Sequence, residues 1–147
     1  MACRSSSTTT SRSRSTSAPT GCTSVARTAI WPARARLPGR LLGASCYNQP
    51  ELAHRAIAAG ADYVAFGSVF PSATKPRAVR APLSLFALAL GVPKVAIGGI
   101  TLENAREVVA AGADCVAVIT DLFEAPDVAQ RAREFAKIFQ PENAHRP

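Results

Sequence analysis

The chain has 147 residues, 48% hydrophobic and 18% charged, which is enough for one soluble domain with a real core. No apolar run is long enough to span a membrane, residues 1–20 lack the apolar centre of a secretory signal, and the four scattered cysteines (Cys3, Cys22, Cys46, Cys115) form no CxxC pair; a zinc site or disulfide framework gains no support, and a reduced, cytoplasmic setting is expected. The net charge of +7 sits in the head: residues 1–40 hold seven Arg and no acid, whereas ten acids from Glu51 onward balance ten Lys and Arg, and no base-reading or aromatic motif accompanies the basic stretch, so neither nucleic acid nor membrane is an expected partner.

Residues 1–20 are almost entirely Ser, Thr and Arg and carry no hydrophobic period, so residues 1–33 are expected to be a disordered head. From Leu41 the texture changes. Apolar runs at 41–45, 63–66, 94–97 and 115–119 alternate with helical stretches at 50–59, 83–90, 102–111 and 128–139. This is the strand–helix alternation of a parallel sheet covered by helices. The strands are apolar at nearly every position, as both-face burial requires. Thr101 can cap a helix beginning near Leu102, with Glu103 and Glu107 following. Gly60 and Gly112 stand where helices should end. The text Ala-Ala-Gly-Ala-Asp-X-Val-Ala occurs twice, from Ala58 and from Ala110, with one further strand between the copies. Each copy runs from a helix end through a turn into a strand, so the sheet repeats one βα step, with Asp62 and Asp114 as turn residues. Phe135, Ile138 and Phe139 form an apolar stripe that should dock the last helix; residues 141–147 are a tail.

Four stretches carry chemistry. In Val-Ala-Ile-Gly-Gly-Ile-Thr (from Val95), a buried strand ends at Gly98 and Gly99 and a helix follows. Glycines let the backbone approach an anion and a helix start offers N–H groups, as in the phosphate cradles late in TIM barrels; a tight turn needing positive φ is the alternative reading. After Phe66-Gly67 a loop carries Ser72, Thr74 and Lys75. The hydroxyls can donate to phosphate oxygens and the lysine can neutralise a leaving diphosphate; the alternative is a solvated polar loop. Near Val118, Ile119, Thr120 and Asp121 the final strand opens into a loop whose N–H groups and Thr120 can complete such a site. Ser45 ends another strand. All four lie at carboxyl ends of strands, and in a parallel barrel those ends share the active-site face. The scattered Cys46, Cys115, His54 and His145 read as packing or solvent residues, and no metal ligands are assigned.

The runs LLGASCYN, GADYVAFGSVFPSATKP and VPKVAIGGITLENAREVVAAGADCVAVIT, in this order, resemble strands five to eight of the thiamine-phosphate synthase family. The resemblance covers residues 34–139 and implies the α/β fold of a (β/α)8 TIM barrel, of which residues 34–140 would form the last four units, as an arc with two open strand edges and an uncovered inner face prone to self-association. That family joins hydroxymethylpyrimidine diphosphate to thiazole phosphate, giving thiamine phosphate and pyrophosphate with Mg²⁺. The resemblance implies that Ser45 and Lys75 contact the pyrimidine diphosphate, Lys75 as the catalytic group. It implies that Ser72, Thr74, Gly98 or Gly99, Ile119 and Thr120 hold the thiazole phosphate. Ser72 replaces a threonine often seen there and keeps the hydroxyl. A thiazole tautomerase-like barrel and a non-catalytic phosphate-binding fragment are the alternatives.

The family's earlier units supply a basic cluster, an Asn-Asp pair and a further Asp, the acids being Mg²⁺ ligands; none of these is legible here. The head invites a different reading. Residues 17–32, SAPTGCTSVARTAIWP, admit a coding that, shifted by one base, yields VGADGVHLGREDGDLA; residues 3–16 yield PLLINDDVALALDV. Both resemble the family's strands three and four, the first with the same Gly-Ala-Asp turn found twice downstream. The head is therefore expected to be a frameshifted translation of a synthase gene, with the proper frame returning near residues 32–36.

Overall fold

The computed structural model describes residues 2–3, 22–25, 34–72 and 77–140. Its six-stranded sheet has the order β1-β6-β5-β4-β3-β2, where β1 is Ala2–Cys3, β2 Cys22–Val25, β3 Leu42–Tyr47, β4 Tyr63–Gly67, β5 Lys94–Ile97 and β6 Cys115–Ala117. Strands β2 to β6 run parallel, and β1 lies antiparallel on β6. The helices are α1 (Pro50–Ala58), α2 (Ala105–Ala110), α3 (Thr120–Phe123) and α4 (Val128–Ile138), with a 3-10 turn at Leu83–Ala87 between β4 and β5. No helix among the described residues is long and apolar enough to cross a membrane.

The four expected strands form the centre of this sheet, each followed by helical structure in the expected order. The outer face of the sheet buries Leu42, Ala44, Cys46, Val64, Phe66, Ala96 and Val116 under the helices. Phe86 of the 3-10 turn meets Phe66 edge-on, ring centroids 5.8 Å apart. The last helix docks through Phe135, Ile138 and Phe139, all buried, and Asp127 caps its start by accepting from the Gln130 amide at 2.8 Å.

Five expectations change. Two short strands arise from the head that composition marked as disordered; the rest of that expectation, on residues 4–21 and 26–33, lies outside the described residues. The physical reason is that β3 and β6 present rows of unpaired backbone groups, which any extended chain can satisfy whatever its side chains. The edges expected to lie open are thus paired with β2 and β1. The inner face is not bare at its centre: Ala65, Val95 and Cys115 are buried there, with Tyr63, Ile97 and Ala117 half-buried around them. A Cβ at Gly43 would fall 2.0 Å from the Tyr63 ring, so that glycine is what lets the ring lie across its neighbour strand. Cys115, expected only to pack, is disulfide-bonded; its register neighbour on β1 is Cys3. Finally, the expected helix at 83–90 is a single 3-10 turn bounded by Pro82 and by Gly91 at φ +71°.

The repeated Gly-Ala-Asp text explains the strand register. At each copy the glycine and alanine close the preceding helix: Gly60 N–H donates to Ile57 O at 2.9 Å and Ala61 N–H to Ala56 O at 3.0 Å, and Gly112 and Ala113 do the same to Val109 at 3.0 Å and Val108 at 3.2 Å. Both glycines have positive φ, +93° and +106°. The aspartate then grips the first residue of the strand before. Asp62 N–H donates to Leu42 O at 2.7 Å while its carboxylate accepts from Leu42 N–H at 2.6 Å. Asp114 N–H donates to Lys94 O at 2.9 Å and its carboxylate accepts from Lys94 N–H at 2.9 Å.

Burial pushes the Asp62 carboxyl up, but the Leu42 amide and the Arg34 guanidinium, which also donates to it, hold it below its usual value. A carboxylate with a lowered folded pKa adds stability above its unfolded pKa and loses it as pH falls through the folded value. Asp62→Asn should therefore flatten the acid limb of the stability curve below about pH 4, read by urea unfolding across pH. Asp114→Ala orphans the Lys94 amide and should cost about 1–3 kcal/mol in the same measurement at neutral pH. Burial pushes the Cys46 thiol up to about 11, with the Ala65 backbone pulling weakly the other way, so it should alkylate far more slowly in the native protein than in urea at pH 8.

Candidate phosphate-binding site

The carboxyl ends of β4 and β5 are joined by their own backbones. Val69 N–H donates to Ile97 O and Phe70 N–H to Gly98 O, each at 3.0 Å. The Ser68 hydroxyl turns back onto Phe70 O at 3.0 Å, and Ser68 O accepts from Ala81 N–H at 2.9 Å. The β4 loop is therefore laid directly over the two glycines. Gly98 and Gly99 have φ of +98° and +65°, which side chains rarely adopt. A Cβ on Gly98 would sit 2.8 Å from Ser68 Oγ, and one on Gly99 only 2.4 Å from Pro71 O. Both glycines are required by conformation and by the approach of the neighbouring loop. The tight turn needing positive φ, one of the two sequence readings, is what these residues form.

Asn104 shapes the rest of this loop. Its carboxamide oxygen accepts from Thr101 N–H at 2.9 Å and its nitrogen donates to Gly99 O at 3.0 Å. The helix expected from Leu102 with Thr101 as its cap begins instead at Ala105, because residues 102–104 form the turn that this carboxamide closes. The Thr101 side chain is the main cause holding the exposed Glu103 carboxyl below its usual value.

Around this centre the other sequence candidates fall as follows. Ser72 is half-buried and follows Pro71 directly, next to the glycines. Ser45 pairs in register with Ala65, so it faces the barrel interior, one residue before the β3–β4 register slips. That slip places Tyr47 at φ +54°, an unusual conformation for an aromatic residue, and the sequence carried no sign of it. Ile119 precedes α3 and is 73% exposed, and Thr120 opens α3 and is exposed. The β6 loop is tied to the β5 loop through Asp121, whose carboxylate accepts from Leu102 N–H at 3.2 Å and from Arg131 at 3.2 Å. Thr74 and Lys75 lie outside the described residues. The backbone just before Ser72 thus lies against Gly98 and Gly99, while Ile119 and Thr120 stand exposed just before Asp121, whose tie is to Leu102. Sequence reasoning passed over Asn104, for which an Asx residue just after a glycine turn was the available signal. It included Asp121 in the 118–121 stretch but gave it no role, since nothing local pairs it with Leu102 or Arg131.

Among the described residues no group of three His, Cys, Asp or Glu side chains converges to hold a metal ion. Asp121 is committed to Leu102 and Arg131, and Asp62 and Asp114 grip the amino ends of strands, at the opposite end of the sheet. The described residues do not fit the Mg²⁺ that the family resemblance implies.

Residues 26–122 match the family model described as thiamine monophosphate synthase. The chain is 59% identical over 109 residues to the thiamine-phosphate synthase of Aromatoleum aromaticum, covering 72% of this chain and 52% of that protein. To the thiamine-phosphate synthase of Methylobacillus flagellatus it is 58% identical over 113 residues, covering 75% and 54%. The solved thiamine phosphate pyrophosphorylase of Pyrococcus furiosus superposes with a TM-score of 0.70 at 37% identity, over 81% of this chain and 58% of that one. A 3-hexulose-6-phosphate synthase from Salmonella typhimurium, with a TM-score of 0.62 at 19% identity, shares the fold alone. The chain spans about half the length of the curated relatives it matches. With the glycine loop, the repeated βα step and the four parallel strands β3 to β6 all inside the matched region, the chain belongs to the thiamine monophosphate synthase family.

Proposed function

We propose that this chain carries the phosphate-binding side of a thiamine-phosphate synthase site. The observation that carries the reading is the pair of positive-φ glycines pinned under the β4 loop, where neither position has room for a side chain. Gly98, Gly99, Ser72, Thr74, Ile119 and Thr120 would bind thiazole phosphate. Ser45 and Lys75 would face the pyrimidine diphosphate. In the reaction the carbon–oxygen bond to diphosphate breaks, the electron pair leaves with diphosphate, and the resulting pyrimidine carbocation is captured by the thiazole nitrogen. Lys75 would stabilise the leaving charge, and the cradle would hold the nucleophile in line. A thiazole tautomerase would share the cradle but has no use for a leaving-group lysine.

We propose further that the head, residues 1–33, is read one base out of frame, with residues 34–140 as the second half of the barrel. Supporting this, β2 falls at Cys22–Val25, where the shifted text reads Val-His-Leu-Gly, and its start precedes that of β3 by about the spacing that separates the starts of β3 and β4. Sequencing the gene across the head tests it: an intact reading frame matched by an independent clone would end the idea.

Gly99→Val should abolish binding of thiazole phosphate in calorimetry while circular dichroism retains the helical signal; unchanged affinity would remove the cradle assignment. The full chain should form thiamine phosphate from both substrates at least about 10²–10³-fold more slowly than the product of the one-base-corrected gene, since several charge-stabilising groups would be missing together. Near-equal turnover by the two would contradict both the incomplete-site reading and the frameshift.

A further inference from the structure

Asp121 lies on neither of the loops' glycines nor among the groups proposed to touch substrate, yet it joins two walls of the site. Its Oδ2 accepts from the Leu102 amide at 3.2 Å, which is the first amide after the loop of residues 98–101. The same oxygen accepts from Arg131 Nη1 at 3.2 Å, and Arg131 Nε stands 3.7 Å from Glu134 one turn along α4. Asp121 itself belongs to α3, directly after Ile119 and Thr120. One carboxylate therefore connects the β5 loop, the β6 loop and the last helix. Both partners are partly shielded, with side-chain exposures of 19% for Asp121 and 25% for Arg131, so the pair is less screened than a surface ion pair.

We infer that Asp121, oriented by Arg131, is a positioning residue for the phosphate cradle. This inference rests on the phosphate reading proposed above and adds a regulator of its geometry. The Leu102 end of the β5 loop has a tie of its own, distinct from those made by Asn104 at Gly99 and Thr101. Without Asp121 the loop keeps its glycine conformation but loses its registration against Ile119 and Thr120. Arg131 has a second effect. A bare carboxylate this close to the loops would repel an incoming anion, and the guanidinium cancels that charge while fixing the carboxylate plane.

The test uses the full chain with inorganic phosphate as probe, in calorimetry, together with amide hydrogen exchange at Leu102. Asp121→Ala should speed exchange at Leu102 and weaken phosphate binding by about tenfold. Asp121→Asn, which keeps an oxygen for the Leu102 amide, should restore slow exchange and bring affinity back to within about threefold of the parent. Phe135→Leu, a packing change in α4, should lower thermal stability and leave phosphate affinity unchanged. Parental exchange at Leu102 in Asp121→Ala overturns the inference. So does an affinity loss that Asp121→Asn fails to rescue, or one that Phe135→Leu reproduces. If the parent binds no phosphate, the cradle reading falls, and exchange at Leu102 still decides whether Asp121 ties the loop. If Asp121→Ala does not fold, the Asp121→Asn and parent pair decides: faster Leu102 exchange in Asp121→Asn counts against the tie.

Discussion

The arrangement depends first on the two-point grip of an aspartate on the start of the neighbouring strand. Asp62 on Leu42 and Asp114 on Lys94 each use one main-chain and one side-chain hydrogen bond. A parallel ladder alone does not specify register strongly when both faces are apolar, because a slipped strand still buries hydrophobic groups. The aspartates remove that freedom at the amino ends. Asp62 thus fixes β3 against β4 and Asp114 fixes β5 against β6, while the β4 and β5 loops are joined by their own backbone hydrogen bonds.

The meeting of those loops is then a matter of small distances. The β4 loop reaches the glycines because Phe70 and Val69 bond across to β5, and it can lie that close only because positions 98 and 99 have no side chain. Asn104 and Asp121 supply the remaining polar ties. The division of labour is consistent along the molecule: carboxylates at the amino ends fix register, while carboxamide, carboxylate and glycine at the carboxyl ends fix the shape of the loops.

Much of this was legible in the residues. The duplicated Ala-Ala-Gly-Ala-Asp text announced the helix-ending turns and the strand that follows each, because a helix C-terminus and a strand start are local events with local signatures. Gly98-Gly99 after an apolar run marked the positive-φ turn at the end of β5 for the same reason. What escaped was non-local. Asp121 meets Leu102 and Arg131 only through the fold, and no spacing in the sequence pairs them. The start of α2 at Ala105 was misplaced because the Asn104 side chain is used by the loop rather than by the helix. The strands at Ala2–Cys3 and Cys22–Val25 were missed because edge pairing is satisfied by backbone, and composition reports side chains.

The central claim is that anion binding belongs to the carboxyl ends of β4, β5 and β6, with the amino ends purely structural. It is tested most directly by titrating the isotope-labelled chain with thiazole phosphate and following backbone amide resonances. The account predicts shifts at residues 70–72, 98–101 and 119–120, and none at the Gly-Ala-Asp turns of residues 60–62 and 112–114. Shifts largest at those turns, or no shift at residues 98–101 at saturating ligand, would contradict it.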